Sequence, residues 1–236
     1  MKRVSLNIDL GEFPDEPDEL YSLATMVNIA CGGHAGDRAS MQKALRLAQK
    51  ANARVAAHPS YPDRAGFGRK SLNLPVDELQ RSVRDQMSEL MSIARDVGVT
   101  ITAVKPHGAL YHDLQTSSVL AEAFLEAMAS LFDSSVSVVV IAAPMRSLLK
   151  HAHARGRDYL REGFADRTYL PDGSLSPRTQ PDALLTNPAA AAAQALRLVE
   201  TNQFDTLCVH GDTPNALAVA RAVREALVNA QALDGG

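Results

Sequence analysis

The most constraining feature of this chain is an alternation. Short runs of β-branched and small apolar residues give way, again and again, to longer segments with helical spacing. Strands are expected at Val4–Leu10, Met26–Ala30, Arg54–His58, Thr100–Lys105, Ser137–Ala142, Tyr159–Glu162 and Thr206–His210. Helices are expected at Met41–Lys50, Glu78–Val97, Val119–Phe132, Met145–Arg155, Ala189–Thr201 and Asn215–Ala230. The clearest of them carries Leu79, Val83, Leu90, Ala94 and Val97 on one stripe. Asn187 before Pro188 reads as a helix start: a side-chain oxygen for free amides, then a residue with no N–H to leave unpaired. Strand followed by helix, repeated about seven times, requires a parallel sheet with helices outside. An α/β fold follows, either a closed or distorted (β/α) barrel or an open doubly wound sheet.

No Gly/Ser linker, charge block or repeat of short period divides the sequence, so residues 1–236 are expected to form a single domain. Lys plus Arg number 24 against 27 Asp plus Glu, a net charge of −3 that gives no field for nucleic acid or anionic membrane. Tryptophan is absent and aromatics are 5%, which removes stacking platforms for single strands or sugars. Cys31 and Cys208 cannot build a disulfide framework. Ser5, Asn7 and Asp9 interrupt any apolar leader near the start, so a cytoplasmic protein acting on something small is expected.

Function is written in the polar residues at the strand ends. Asp9 and Glu12 follow the first strand, and the run Cys31-Gly32-Gly33-His34-Ala35-Gly36-Asp37 follows the second. His58-Pro59-Ser60 ends the third and Lys105-Pro106-His107-Gly108 the fourth. Glu162, Asp166 and Arg167 follow the sixth, and His210-Gly211-Asp212 the last. In parallel α/β folds these ends share one face, where active sites form. Lys105 after an apolar strand needs a carboxylate or a substrate, Asp9 needs a cation, and the two can pair across the mouth. Asp37 and Asp212 are each equally suited to capping the helix that follows. Arg167 and Arg178 offer forked donors for a carboxylate or phosphate. His34, His58 and His107 are candidate metal ligands, although no ligand set is firmly indicated.

Several chemistries are excluded. There is no P-loop, no HExxH and no GxSxG elbow, and His151 and His153 lie two apart on a helix, so they cannot share a metal. Cys31 beside His34 has the composition of a thiolate pair, but a cysteine in a small-residue turn is more often structural. Cys208, between Leu207 and Val209, reads as barrel interior.

Taken in order, these motifs resemble the LamB/YcsF family. Asn7–Glu12, Asn28–Asp37, His58–Asp63 and Gly66-Phe67-Gly68-Arg69 carry the first half of the likeness. Val104–Tyr111, Arg161–Arg167, Ser176-Pro177-Arg178 and Val209–Pro214 carry the second. The resemblance implies a barrel-like fold related to carbohydrate deacetylases. It also implies the A component of an ATP-dependent 5-oxoprolinase, which opens 5-oxo-L-proline to L-glutamate with separate subunits B and C. On that reading Asp9, Glu12, Lys105, His107, His58 and Asp212 are catalytic. His34, Asp37, Arg69, Glu162, Asp166, Arg167, Arg178 and His210 hold substrate. The segment Phe13-Pro14-Asp15-Glu16-Pro17 is short, acidic and proline-rich where the family usually has a longer Gly-containing one, Gly33 stands where an aromatic is common, and Ile8 where a small residue is.

A five-membered lactam is a stable amide, so its carbonyl must be activated before water attacks, and the leaving nitrogen needs an acid. Asp9, Glu12 or a neighbouring histidine can serve as base. Lys105 or a protonated histidine can steady developing negative charge, and Arg167 or Arg178 can hold the substrate carboxylate. With no nucleotide motif here, ATP is expected to be used on the partner subunits. Two alternatives stand: a stand-alone amidase or deacetylase built on a divalent metal, and a non-catalytic binding subunit. Against the first, the sequence lacks the HxxxH pair of deacetylase-type hydrolases.

Overall fold

The computed structural model describes residues 2–132, 138–144 and 146–234. Seven strands run Ser5–Leu10 (β1), Met26–Ala30 (β2), Arg54–His58 (β3), Ile101–Val104 (β4), Val139–Ala142 (β5), Tyr159–Phe164 (β6) and Thr206–His210 (β7). Every pairing is parallel, in chain order, and β7 returns to pair with β1, so the sheet closes into a barrel. The choice left open by the sequence is thereby settled in favour of closure. Ser137 and Met145, where the fifth expected strand and fourth expected helix begin, lie outside the described residues.

Eight helices fall among the described residues: Glu19–Leu23 (α1), Arg38–Lys50 (α2), Val76–Val97 (α3), Gly108–Thr116 (α4), Ser118–Ala129 (α5), Ser147–Ala154 (α6), Pro188–Glu200 (α7) and Ala216–Asn229 (α8). In α3 the expected stripe is the buried face, with Leu79, Val83, Leu90 and Ala94 against the barrel and Val97 at its edge. The Asn187 side chain accepts from Ala190 N–H and caps α7, with Pro188 in the first turn. Asp37 caps α2 through a reciprocal pair with Ser40. Asp212 caps nothing; Asn215 holds that position before α8. Two helices lay outside the sequence expectation. α1 is five residues long, and α4 is separated from α5 by Ser117 alone.

Side chains alternate across each strand. Leu6, Ile8, Val27, Ile29, Val104, Leu207 and Val209 face outward into one apolar layer shared with the helices. The other set faces into the barrel. Met26, Ala56, Ala103 and Ile141 plug its lower part. Above them the interior turns polar, with Asn7, Asp9, Asn28, His58, Lys105, Glu162 and Cys208 all buried. No helix among the described residues is long and apolar enough to cross a membrane.

Candidate active site

Lys105 follows β4 at the centre of the interior, 2% exposed. Its Nζ donates to Asp9 Oδ1 (2.8 Å) and Asn7 Oδ1 (3.2 Å) and lies 2.9 Å from Glu162 Oε1. The expected pairing of Lys105 with Asp9 is thus present, and Glu162 adds a second carboxylate. Glu162 lies within β6 rather than after it, so its side chain points inward beside the lysine. Burial alone pushes the Lys105 amine down, but the carboxylates of Asp9 and Glu162 outweigh it and hold the amine charged. The same pairing acts on Asp9. Burial pushes its carboxyl up, and Lys105 with His58 overcomes that and keeps it well below the usual range.

Two buried amides complete this floor. Asn28 Nδ2 donates to both Asn7 Oδ1 and Asp9 Oδ1, at 2.7 Å each. The sequence reading passed over both residues. Their signal was a lone asparagine inside each of the apolar runs Leu6-Asn7-Ile8 and Val27-Asn28-Ile29, where an unpaired amide is costly.

One wall is a histidine cluster. His58 Nδ1 donates to the Lys105 carbonyl (2.7 Å), and His107 Nε2 donates to the Phe67 carbonyl (3.0 Å). The remaining nitrogens, His58 Nε2 and His107 Nδ1, meet at 3.0 Å. Glu12 Oε1 lies 2.9 Å from His34 Nε2, 3.3 Å from His107 Nδ1 and 3.9 Å from His58 Nε2. Burial pushes the Glu12 carboxyl up to about 7. Burial, then the charge of His58, pushes His34 well down, and burial with both neighbouring histidines does the same to His107. Burial also pushes His58 down, but Asp9 outweighs it and raises that ring. The loop after β3 makes this packing possible. A Cβ on Gly68, whose φ is +63°, would sit 3.0 Å from both His107 Cδ2 and His34 Cβ.

The opposite wall holds a second histidine in a different setting. His210 ends β7; its Nδ1 lies 3.0 Å from Asp166 Oδ1, and Asp166 Oδ2 also accepts from the His210 N–H and from Thr213 Oγ1. Burial pushes the Asp166 carboxyl up, while His210 outweighs it and keeps it ionised. His210 therefore keeps its proton on Nδ1, and Nε2 is turned toward Asp9 Oδ2 at 3.9 Å. Phe164 stacks on the ring at 5.6 Å.

Between the walls lies a cavity of about 390 Å³, lined by Asp9, His58, Lys105, His107, Arg178 and His210 among others. That volume is in the range of small-molecule sites. Arg69, Arg167 and Arg178 stand at its outer end, and Asp212 is an ion-pair partner of both Arg69 and Arg178, the latter at 3.1 Å. Arg167 spends two donors on the Ala183 and Ser176 carbonyls. Burial and then Arg178 push it down to about 10, which marks a cationic end to the cavity.

Six expected site residues lie outside that lining; Glu162, Asp166 and Asp212 among them are partners of groups that do line it. Asp37 is exposed at its helix cap. Glu12 and His34 lie behind His58 and His107, outside the cavity lining. Cys31 does not touch His34; its thiol contacts the Ile29 carbonyl and the His58 N–H, and burial pushes it up to about 12, so no thiolate pair forms. Cys208 is interior, 3.0 Å from Lys105 Nζ.

Fold and site together define an enzyme-like parallel α/β barrel with buried acid–base groups at the C-terminal ends of its strands. Residues 4–233 match the LamB/YcsF family, and the chain belongs to it. It is 41% identical to the 5-oxoprolinase A subunit of Methylococcus capsulatus, over 94% of this chain and 91% of that one. It is 36% identical to the protein of the same name from Pyrococcus furiosus, over 95% and 94%. Among solved structures, the lactam utilization protein from Thermus thermophilus superposes with a TM-score of 0.90 at 34% identity, covering 99% of both chains. A family 4 carbohydrate esterase from Streptomyces lividans reaches 0.54 at 14% identity, covering 100% of this chain and 92% of that one, a likeness of fold alone.

Proposed function

We propose that this chain is the ring-opening component of a multi-subunit, ATP-dependent 5-oxoprolinase. Its substrate is 5-oxo-L-proline, its product L-glutamate, and its partners are subunits B and C. The names carried by its relatives supply the substrate and the word subunit. The observation that carries the chemistry is the pairing of Lys105 with His210 across one small cavity that ends in arginines.

Each side chain then has a task. Arg178 and Arg69 receive the ring carboxylate at the outer end, which orients the lactam carbonyl inward. Lys105 Nζ, held charged between Asp9 and Glu162, faces the negative charge that develops on the carbonyl oxygen. His210 Nε2 takes a proton from the attacking water as its oxygen bonds to the carbonyl carbon. Asp166 holds the ring and steadies the imidazolium that results. When the C–N bond breaks, the same Nε2 returns the proton to the leaving nitrogen. Asp9, ionised and turned toward His210, orients the water. ATP acts before this, on the partner subunits: its γ-phosphoryl passes to the carbonyl oxygen with release of ADP. Ring opening then leaves an acyl phosphate on the product, and a second water hydrolyses that bond to give phosphate and L-glutamate. The barrel works as one unit over residues 1–236, in the cytoplasm.

The alternative of a stand-alone metal amidase leaves unexplained why the relatives carry the name of a subunit. A purely structural subunit is disfavoured by the cost of burying Lys105, Asp9, Glu162 and Asp166 together. The test is alanine at Asp9 or Lys105 in the assembled enzyme. Glutamate formation is expected to collapse while the complex still assembles; full retained activity would overturn the assignment.

A further inference from the structure

The histidine wall has donors that the ring-opening chemistry leaves unused. His58 and His107 each give one ring nitrogen to a backbone carbonyl, from Lys105 and Phe67. Both of those nitrogens must carry hydrogen, because a carbonyl only accepts. The two nitrogens left over face each other at 3.0 Å, so a cation of some kind must stand between two lone pairs. Glu12 Oε1 completes a triangle with them, at 3.3 Å from His107 Nδ1 and 3.9 Å from His58 Nε2. A ring nitrogen fixed by a carbonyl on its far side is the usual outer support of a metal-binding histidine.

We infer that Glu12, His58 and His107 form a divalent metal site of the zinc type, with an open fourth position toward the cavity. Tetrahedral bonds of about 2.0–2.2 Å put ligand atoms about 3.3–3.6 Å apart. The three separations here, 3.0, 3.3 and 3.9 Å, bracket that edge. The shorter edge of an octahedral face, about 3.0 Å for the same bonds, matches one of them. Two of the three ligands, His58 and His107, line the cavity, and their ring planes stand 89° apart, so both lone pairs can converge on one point.

His34 is close but is not a ligand. Its ring is stacked on His107 at 3.6 Å with the planes 1° apart, so no ion can lie in the plane of both. Its Nδ1 is buried and has no hydrogen-bond partner among the described residues, whereas a ligating ring would need an acceptor there. His34 instead places Nε2 against Glu12 at 2.9 Å and holds that carboxylate in position. A zinc ion here would supply a Lewis acid and a water-activating position at the cavity wall.

The test reads metal, not turnover, so it stands or falls separately from the ring-opening assignment. The full chain is stripped with chelator and titrated with zinc, then with iron(II). X-ray absorption is recorded on the zinc form, and each variant is checked for native circular dichroism. One zinc per chain, with two imidazoles and oxygen donors, is the expected result, and zinc is expected to bind more tightly than iron(II). Losing an outer-shell partner costs about 10–100-fold in affinity, so Glu12→Gln and His107→Phe should each cost more than about 100-fold. His34→Gln should keep one zinc per chain. Failure of the wild-type chain to take up stoichiometric metal would show that a proton alone bridges the two rings, and would overturn the inference. So would iron(II) bound more tightly than zinc, or zinc lost from His34→Gln as completely as from His107→Phe.

Discussion

Replacing Lys105 by methionine keeps most of the side-chain volume and removes only the charge. Two carboxylates then remain in the barrel interior. Asp9 keeps Asn28 and the nearby His58, but Glu162 loses the cation at 2.9 Å and keeps only the neighbouring Tyr111 hydroxyl. Both acids are almost fully buried. Breaking a buried pair from one side costs about 3–5 kcal/mol, which at about 2–4 °C per kcal/mol for a chain of this size lowers the melting temperature by about 6–20 °C. The pH dependence makes the test specific. A carboxyl stranded without its cation has a folded-state pKa above its unfolded value, so its penalty is largest at high pH and fades as pH falls and it takes a proton. Thermal unfolding at pH 8 and pH 5 should therefore show the gap between wild type and Lys105→Met narrowing at the lower pH. Lys105→Met/Glu162→Gln should recover part of the loss at pH 8. A single variant that melts within about 2 °C of wild type at both pH values would refute the reasoning.

Other expectations follow from single contacts. His210→Asn should lower kcat of the assembled enzyme by about 10²–10⁴-fold, and Asp166→Asn should also lower it and move the pH profile, because the ring loses its orienting partner. Arg178→Lys should raise KM for 5-oxoproline more than it lowers kcat, since a lysine cannot make the forked contact. Asp205 is held down at about 2: burial pushes it up, but the hydrogen bonds from Arg161 and Lys2 prevail. Its contribution to stability is thus present above about pH 4 and is lost as pH falls toward 2. The difference in melting temperature between wild type and Asp205→Asn should shrink across that interval. Asn187→Ala removes the α7 cap and should cost about 0.5–2 kcal/mol in denaturant unfolding.

The barrel was largely legible because each strand is a short apolar run and each helix a clear stripe. Lys105 and Asp9 were legible as a pair for the same reason: a charge ending an apolar strand has nowhere to go but inward. What escaped depends on tertiary placement. α4 is nine residues long and follows Pro106-His107 directly, too short and too mixed for a period to show. Glu12 looked like a cavity acid, yet the turn after β1 carries it behind the histidines. Asp212 looked like a cap for α8, but it meets Arg69, 143 positions away, and Arg178 instead. No local pattern announces such a partner. Asn7 and Asn28 were readable in principle, as lone amides in apolar strands, and they mark the floor of the site.

The central claim is that this chain, and not its partners, opens the ring. Its most direct test mixes the purified chain with subunits B and C, ATP and 5-oxo-L-proline, and follows glutamate and ADP together. Glutamate is expected only when this chain and ATP are both present, and it should vanish with His210→Asn. Glutamate formed at an unchanged rate by the partners alone, or by the His210→Asn complex, would contradict the account.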